Sequence, residues 1–179
     1  MSPEQLTHLQ QLSPDEVIDA VMPPIWEVID AASTPGQGLQ TLPRPAQVLY
    51  LSLTLEHQVL NGGFHQFLWN VDDDLVQLTG PALRELGAER VADLLADVLV
   101  AADEYLQAQP ASPPPVSSDA LTEEEIQRRV LEAFSKSAKS APFDEFDAAF
   151  VGLADDLPAL RMNWLRAHPE SFEVRGLTA

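Results

Sequence analysis

The sequence predicts an all-α fold: a single helical domain built around a central buried helix that breaks at Asn61-Gly62-Gly63 and then restarts. Three observations predict it. Apolar residues recur at helical spacing through most of the chain, and no segment shows the period-two alternation of a half-buried strand. Helix-start residues and stop signals punctuate those stretches where helices should begin and end. Residues 46–71 carry one formally charged side chain, Glu56, in a chain with 28 acids and 10 bases. A helix that free of charge is buried on most sides.

Each element has its reason in local chemistry. Ser13-Pro14-Asp15-Glu16 starts a helix, with Ser at the N-cap, Pro at the first helical position and acids in the first turn. Val17, Ile18, Val21 and Met22 line it, and Pro23-Pro24 should kink or split it before Ile25–Ala32. Thr34-Pro35-Gly36-Gln37-Gly38 reads as a loop. The central helix runs from about Ala46 to Leu60. Asn61-Gly62-Gly63 caps it, because Asn and Gly accept left-handed backbone angles, and Phe64–Asn70 restarts a short helix. Asp72-Asp73-Asp74 suits the start of the next helix, where acids complement the helix dipole. Gly80-Pro81 and Gly87 punctuate the chain beyond it, before a strong helix at Ala88–Gln107. Thr122-Glu123-Glu124-Glu125 has capping-box spacing and opens a helix to about Phe134. Phe143, Phe146 and Phe150 mark an amphipathic stretch, and a last helix spans Pro158–Ala167. The domain reading is a helical segment at 1–43, the main all-α domain at 44–172 with a Pro-rich internal loop at 110–118, and a tail at 173–179.

Composition bounds the function. The 45% hydrophobic content supplies a sizeable core. With no cysteine, thiolate metal sites, disulfides and a cysteine nucleophile are excluded. The first residues, Met1-Ser2-Pro3-Glu4-Gln5, lack the basic and apolar regions of a signal peptide, and no apolar stretch reaches membrane-spanning length. A cytoplasmic protein without membrane contact is expected. A net charge of −18 repels nucleic acid and favours basic partners. Residues 72–109 hold nine acids and two bases, so this block reads as an acidic surface behind the buried 46–71 segment.

The chemistry-bearing patterns are few. Glu89, Asp93 and Asp97 stand at i, i+4 and i+8 on one helix, with Glu104 further on, spaced by about 6 Å per step. Arg90 lies elsewhere on that helix, so the stripe is expected to be unrelieved; it could present charge as a nucleic-acid strand presents phosphates, or form a solvated face. Glu56, His57 and His65 lie close in sequence, but no metal-ligand spacing occurs, and no metal or cofactor is expected. There is no Gly-x-Ser-x-Gly elbow, Ser-x-x-Lys or phosphate loop. The chain is expected not to be an enzyme.

The central box is Glu56, then Asn61, Gly62, Gly63, Phe64, Gln66, Phe67 and Asn70. Read from its residues, it is mainly structural: Phe64 and Phe67 fill the core, while Gln66 and Asn70 satisfy backbone groups freed at the break. A pocket lined by amides and aromatics, with His65 and Trp69 as candidates, is the other reading.

This box, with Leu83-Arg84-Glu85-Leu86-Gly87-Ala88 after it, resembles the DNA-mimic-protein-nineteen family. Phe143-Asp144-Glu145-Phe146-Asp147 and His168-Pro169-Glu170-Ser171-Phe172 extend the resemblance, which covers roughly residues 44–172. It implies an all-α fold and an acidic homodimer whose carboxylates imitate duplex DNA, occupying the DNA-binding surface of a helix-turn-helix-type repressor. The acids expected to imitate phosphates are Asp72, Asp73, Asp74, Glu85, Glu89, Asp93, Asp97, Asp103 and Glu104, with Asp144, Glu145, Asp147, Asp155 and Asp156 as a second patch. The expected partner is a DNA-binding protein with a basic surface, not nucleic acid itself. Two other readings stand beside it: an interaction or regulatory domain using an apolar groove near Phe64 and Trp69, and a small-molecule site at the box.

Overall fold

The computed structural model describes residues 13–108, 122–138 and 142–172. Its elements are α1 (Pro14–Ala31), α2 (Pro35–Thr41), α3 (Arg44–Asn70), α4 (Asp73–Leu86), α5 (Glu89–Ala108), α6 (Glu123–Ala138), α7 (Asp144–Ala154) and α8 (Leu157–Ala167), closed by a 3₁₀ turn at Pro169–Ser171. The fold is all-α, with no strand among the described residues. The Pro-rich 110–118 segment and the 173–179 tail lie outside them.

The charge-free helix α3 is the axis. Its Val48, Leu51, Leu55 and Val59 enter one apolar cluster with Phe64, Phe67, Leu75, Leu83, Leu95, Val98 and Phe150. Its Ala46, Leu49 and Leu53 enter a second cluster with Val17, Val21, Met22, Ile25, Met162, Leu165 and Phe172. One helix feeding two cores on opposite sides has no face left for charge, which accounts for the composition of residues 46–71. Helices α4 and α7 pack along α3, α5 packs on α4 and α7, and α1 and α8 close the other side. The described part of the N-terminal segment therefore belongs to the core.

Two local expectations are corrected. Residues 35–41 form a helix rather than a loop: Thr34 Oγ1 accepts the Gln37 amide at 3.3 Å, Pro35 occupies the first turn, and Leu39 is buried. Gly38 is needed there, because a β-carbon would press on the backbone of Ile29 in α1. Secondly, α1 runs through Pro23 and Pro24 without splitting. Neither proline has an N–H, so the carbonyls of Asp19 and Ala20 lose their usual partners four residues on. Burial of Val21, Met22 and Ile25 on both sides of the prolines keeps both halves packed on the core. Helix α4 likewise runs through Gly80 and Pro81; it stops at Gly87, where the Ala88 amide reaches Leu83 O at 2.8 Å. Helix α6 extends past Phe134 to Ala138.

Candidate functional site

The Asn61-Gly62-Gly63 break lies inside α3 as two residues out of helical conformation, Gly62 (φ −159°, ψ 27°) and Gly63 (φ 74°, ψ −179°). The second is a conformation that L-residues with side chains rarely adopt. The break frees the Phe64 amide, which donates to Asp147 Oδ1 of α7 at 2.7 Å. A β-carbon on Gly63 would overlap the same carboxylate. Burial pushes the Asp147 carboxyl upward in pKa; the Phe64 amide opposes that, Asp144 adds to it and His65 counters it. Beneath the break Phe64 meets Phe150 edge to face, ring centres 5.6 Å apart.

Gln66 and Asn70 do not serve the backbone, contrary to expectation. Their side chains close an amide network. Asn61 Nδ2 donates to Gln66 Oε1 at 3.1 Å, and Gln66 Nε2 and Asn70 Nδ2 both donate to Gln58 Oε1, at 2.9 and 3.0 Å. The network clamps the two halves of α3 across the glycines. Asp147 supplies what the two amides were expected to supply, because a carboxylate is the stronger acceptor for a lone backbone amide.

Glu56 has a partner that its own neighbourhood in sequence does not suggest. Arg161 of α8 donates from Nη1 to Glu56 Oε2 at 2.6 Å, from Nε to Ser52 Oγ at 3.1 Å and from Nη2 to the Ser52 carbonyl at 3.1 Å. The arginine is 3% exposed and the glutamate 13%. Burial lowers the pKa of Arg161, and the Glu56 charge restores part of the loss. A signal was available: Leu157, Arg161 and Leu165 share a helix face by four-residue spacing, so Arg161 sits among core residues.

The aromatics beside the box form a second cluster. His65 stacks on Trp69 (5.9 Å) and meets Phe134 of α6 (4.6 Å), which contacts Trp69 edge-on (5.4 Å). His65 Nε2 bonds Ser137 Oγ at 2.8 Å, while its buried Nδ1 has no partner among the described residues. Phe64 is fully buried, whereas Trp69 is 42% exposed, so only Trp69 of the expected groove pair faces outward.

The acidic residues divide into three sets. Asp72, Asp73 and Asp74 at the head of α4, Asp97 and Glu104 on α5, Asp144 and Glu145 on α7, and Asp155 and Asp156 between α7 and α8 are exposed. Asp103 is exposed too and accepts from Gln107 at 2.7 Å. Others are relieved. Arg44 holds Glu85 at 2.7 Å, and Arg84 bridges Glu89 (2.6 Å) and Asp93 (2.7 Å). The stripe expected to be unrelieved is thus half neutralised, by an arginine that the Gly87 turn folds back onto the start of α5. Asp147 is corrected outright: it is half-buried against Phe64 and is not part of an open acidic patch. The two patches do meet, since Glu89 and Asp156 line one small cleft. Asp30, not expected in the patch, lies with Asp72 near the Tyr50 hydroxyl, whose pKa is raised first by burial, which a hydrogen bond with Thr54 opposes, and further by these two charges.

Among the described residues no cluster of three or more His, Asp or Glu is arranged to hold a metal, and no helix is long and apolar enough to cross a membrane. A family model described as DMP19-like protein matches residues 40–168. No curated protein and no solved structure matches the chain.

Proposed function

Because the chain belongs to the DMP19-like protein family, we propose that it is an acidic DNA mimic, binding a DNA-binding protein or transcriptional regulator in competition with DNA. The observation that carries this reading is the set of exposed carboxylates at Asp72, Asp73, Asp74, Asp97, Asp103 and Glu104, which have no ion-pair partner among the described residues. The net charge of −18 adds long-range attraction for a basic surface.

Charge density shapes the interface. The α5 acids at 89, 93, 97, 103 and 104 span about 22 Å of helix, roughly one per 4–5 Å. Duplex DNA carries one charge per about 1.7 Å. Helix α5 alone is too sparse, so the interface also takes in the head of α4 and, across the Glu89–Asp156 cleft, the Asp155-Asp156 turn. In this reading the protein acts by occupancy rather than chemistry, in the cytoplasm and as a homodimer. Its binding is salt-sensitive because opposed surface charges are screened within about 10 Å at 0.1 M salt.

The test is capture of partners from the host lysate, with elution by duplex DNA and, separately, by salt. Release of a basic DNA-binding protein by DNA is expected. A protein that stays bound through both would overturn the mimic reading. It would favour instead an interaction surface around the exposed Trp69, which then fails on Trp69→Ala.

A further inference from the structure

We propose that a cavity between α1, α3 and α8 binds the guanidinium side chain of an arginine presented by a protein partner. The cavity holds about 290 Å³, room for roughly ten waters at about 30 Å³ each. That lies at the lower limit for small-molecule pockets, which run from about 300 Å³ upward, so its occupant is no larger than a side chain or a small metabolite.

The lining is graded from floor to mouth. Leu53 and Met162 are buried apolar surface at the base. Arg161 and Glu56 form the buried ion pair beside them, and only one glutamate oxygen is spent on the arginine: Glu56 Oε1 has no hydrogen-bond partner among the described residues. At the mouth stand the exposed Asp19 carboxylate and the Trp26 indole, which is 42% exposed. They are seven residues apart on α1, two turns and about 10 Å along one face.

These groups select a cation on an apolar stem. The Glu56–Arg161 pair is neutral as a unit, so with His57, which also lines the cavity, counted neutral, Asp19 leaves it with net negative charge. A tryptophan face attracts guanidinium even when exposed. A guanidinium offers a planar fork of donors that matches a carboxylate, and its propyl stem suits Leu53 and Met162. An anion would meet Asp19 and Glu56 and be repelled, and a purely apolar ligand would strip water from both carboxylates without replacing it. The assignment to a protein's arginine, rather than a free alkylguanidine, rests on the reading of the chain as a binder of a basic protein.

The full-length chain is titrated with N-acetyl-arginine methylamide, the norleucine analogue and agmatine, tracking the ¹H–¹⁵N indole resonance of Trp26, identified with Trp26→Phe. A saturable shift at Trp26 with the capped arginine is expected, weakened at least fivefold by Asp19→Asn and absent with norleucine. No saturable shift, or an equal response to norleucine, overturns the site. A response to agmatine alone overturns the assignment to a protein side chain. Because these probes need no partner, the outcomes separate from the capture experiment. A pocket that binds while DNA releases nothing leaves the site standing without the mimic reading, and the reverse result leaves the mimic reading without the site.

Discussion

Asp147 accepts the backbone amide of Phe64 at 2.7 Å across 83 residues of sequence. This contact joins the break in α3 to the first turns of α7, and it makes the Asn-Gly-Gly sequence and the Phe143–Phe150 helix one structural unit. The break creates an amide without a helical acceptor, and the helix packed against it carries the acceptor at that height.

Removing the acceptor should therefore be costly where removing an exposed acid is not. Asp147→Ala leaves the Phe64 amide unpaired in a partly buried site and is expected to destabilise the fold by about 1–3 kcal/mol, against less than about 0.5 kcal/mol for Asp97→Ala. Asp147→Asn keeps an acceptor and should fall between. The carboxyl's folded pKa is raised, mainly by burial, so the native state binds the proton more tightly than the unfolded chain. Its contribution is then most favourable at low pH and declines as pH rises above the ordinary aspartate value. Urea titrations should show a smaller penalty for Asp147→Asn at pH 7 than at pH 4; a penalty independent of pH would contradict this.

Gly63→Ala is expected to be among the most damaging single-methyl changes in the chain. Its φ of 74° with ψ near 180° costs a side-chain-bearing residue about 1–3 kcal/mol, and the new β-carbon overlaps the Asp147 carboxylate. In a double-mutant cycle with Asp147→Ala the overlap term disappears while the backbone term stays. The double variant should thus be less destabilised than the sum of the two singles, and strict additivity would show that the carboxylate moves aside at no cost.

Much of this is legible in the chain, and the failures have a common cause. The burial of α3 can be read from its lack of charge, and the break from its glycines. Asp147 reads as a surface residue because it stands among acids, yet it lies four residues after Phe143 and three before Phe150, on the same helical edge as the buried phenylalanines. Glu89 and Asp93, read along their own helix alone, have no cation beside them. The Gly87 turn brings the end of α4, and Arg84 with it, back beside the start of α5. Local periodicity gives the face of a residue; it does not give what the next helix places opposite that face.

The Glu56–Arg161 pair tests the core itself. Glu56→Gln removes one charge and strands the 3%-exposed arginine, with an expected cost of about 3–5 kcal/mol. A combined Glu56→Leu, Arg161→Met replacement removes both charges and should recover much of that loss in thermal unfolding. A double variant no better than Glu56→Gln would mean that the Arg161 bonds to Ser52 carry the stability instead.

His65 makes the seat of α6 sensitive to acid. Burial lowers its folded pKa, with Asp147 opposing, and among the described residues its Nδ1 has no acceptor for a second proton. The neutral ring is therefore favoured by folding. The stability this gives is complete above the ordinary histidine pKa near 6.5 and is lost as pH falls through the lower folded value. Near-ultraviolet circular dichroism should report loosening of the Trp69–Phe134 contact as pH drops from 7.5 to 5, and His65→Phe should abolish that dependence while keeping the packing.

Arg84→Ala gives the sharpest test of the acidic surface. Arg84 lies near the end of α4 and holds Glu89 and Asp93 in exposed ion pairs, which add little to stability because water and salt screen them. The variant should therefore unfold close to the parent. Electrostatically it does more: one positive charge leaves, and two carboxylates on α5 are released toward a partner. If α5 imitates a phosphate strand, binding to the basic partner should tighten several-fold at low salt and depend more steeply on salt concentration. If α5 is a solvated face and the partner docks at Trp69, affinity and salt dependence will match the parent. Charge reversal at Asp97 and Glu104 should move both quantities the other way, so the three variants together give the sign of the interaction as well as its place.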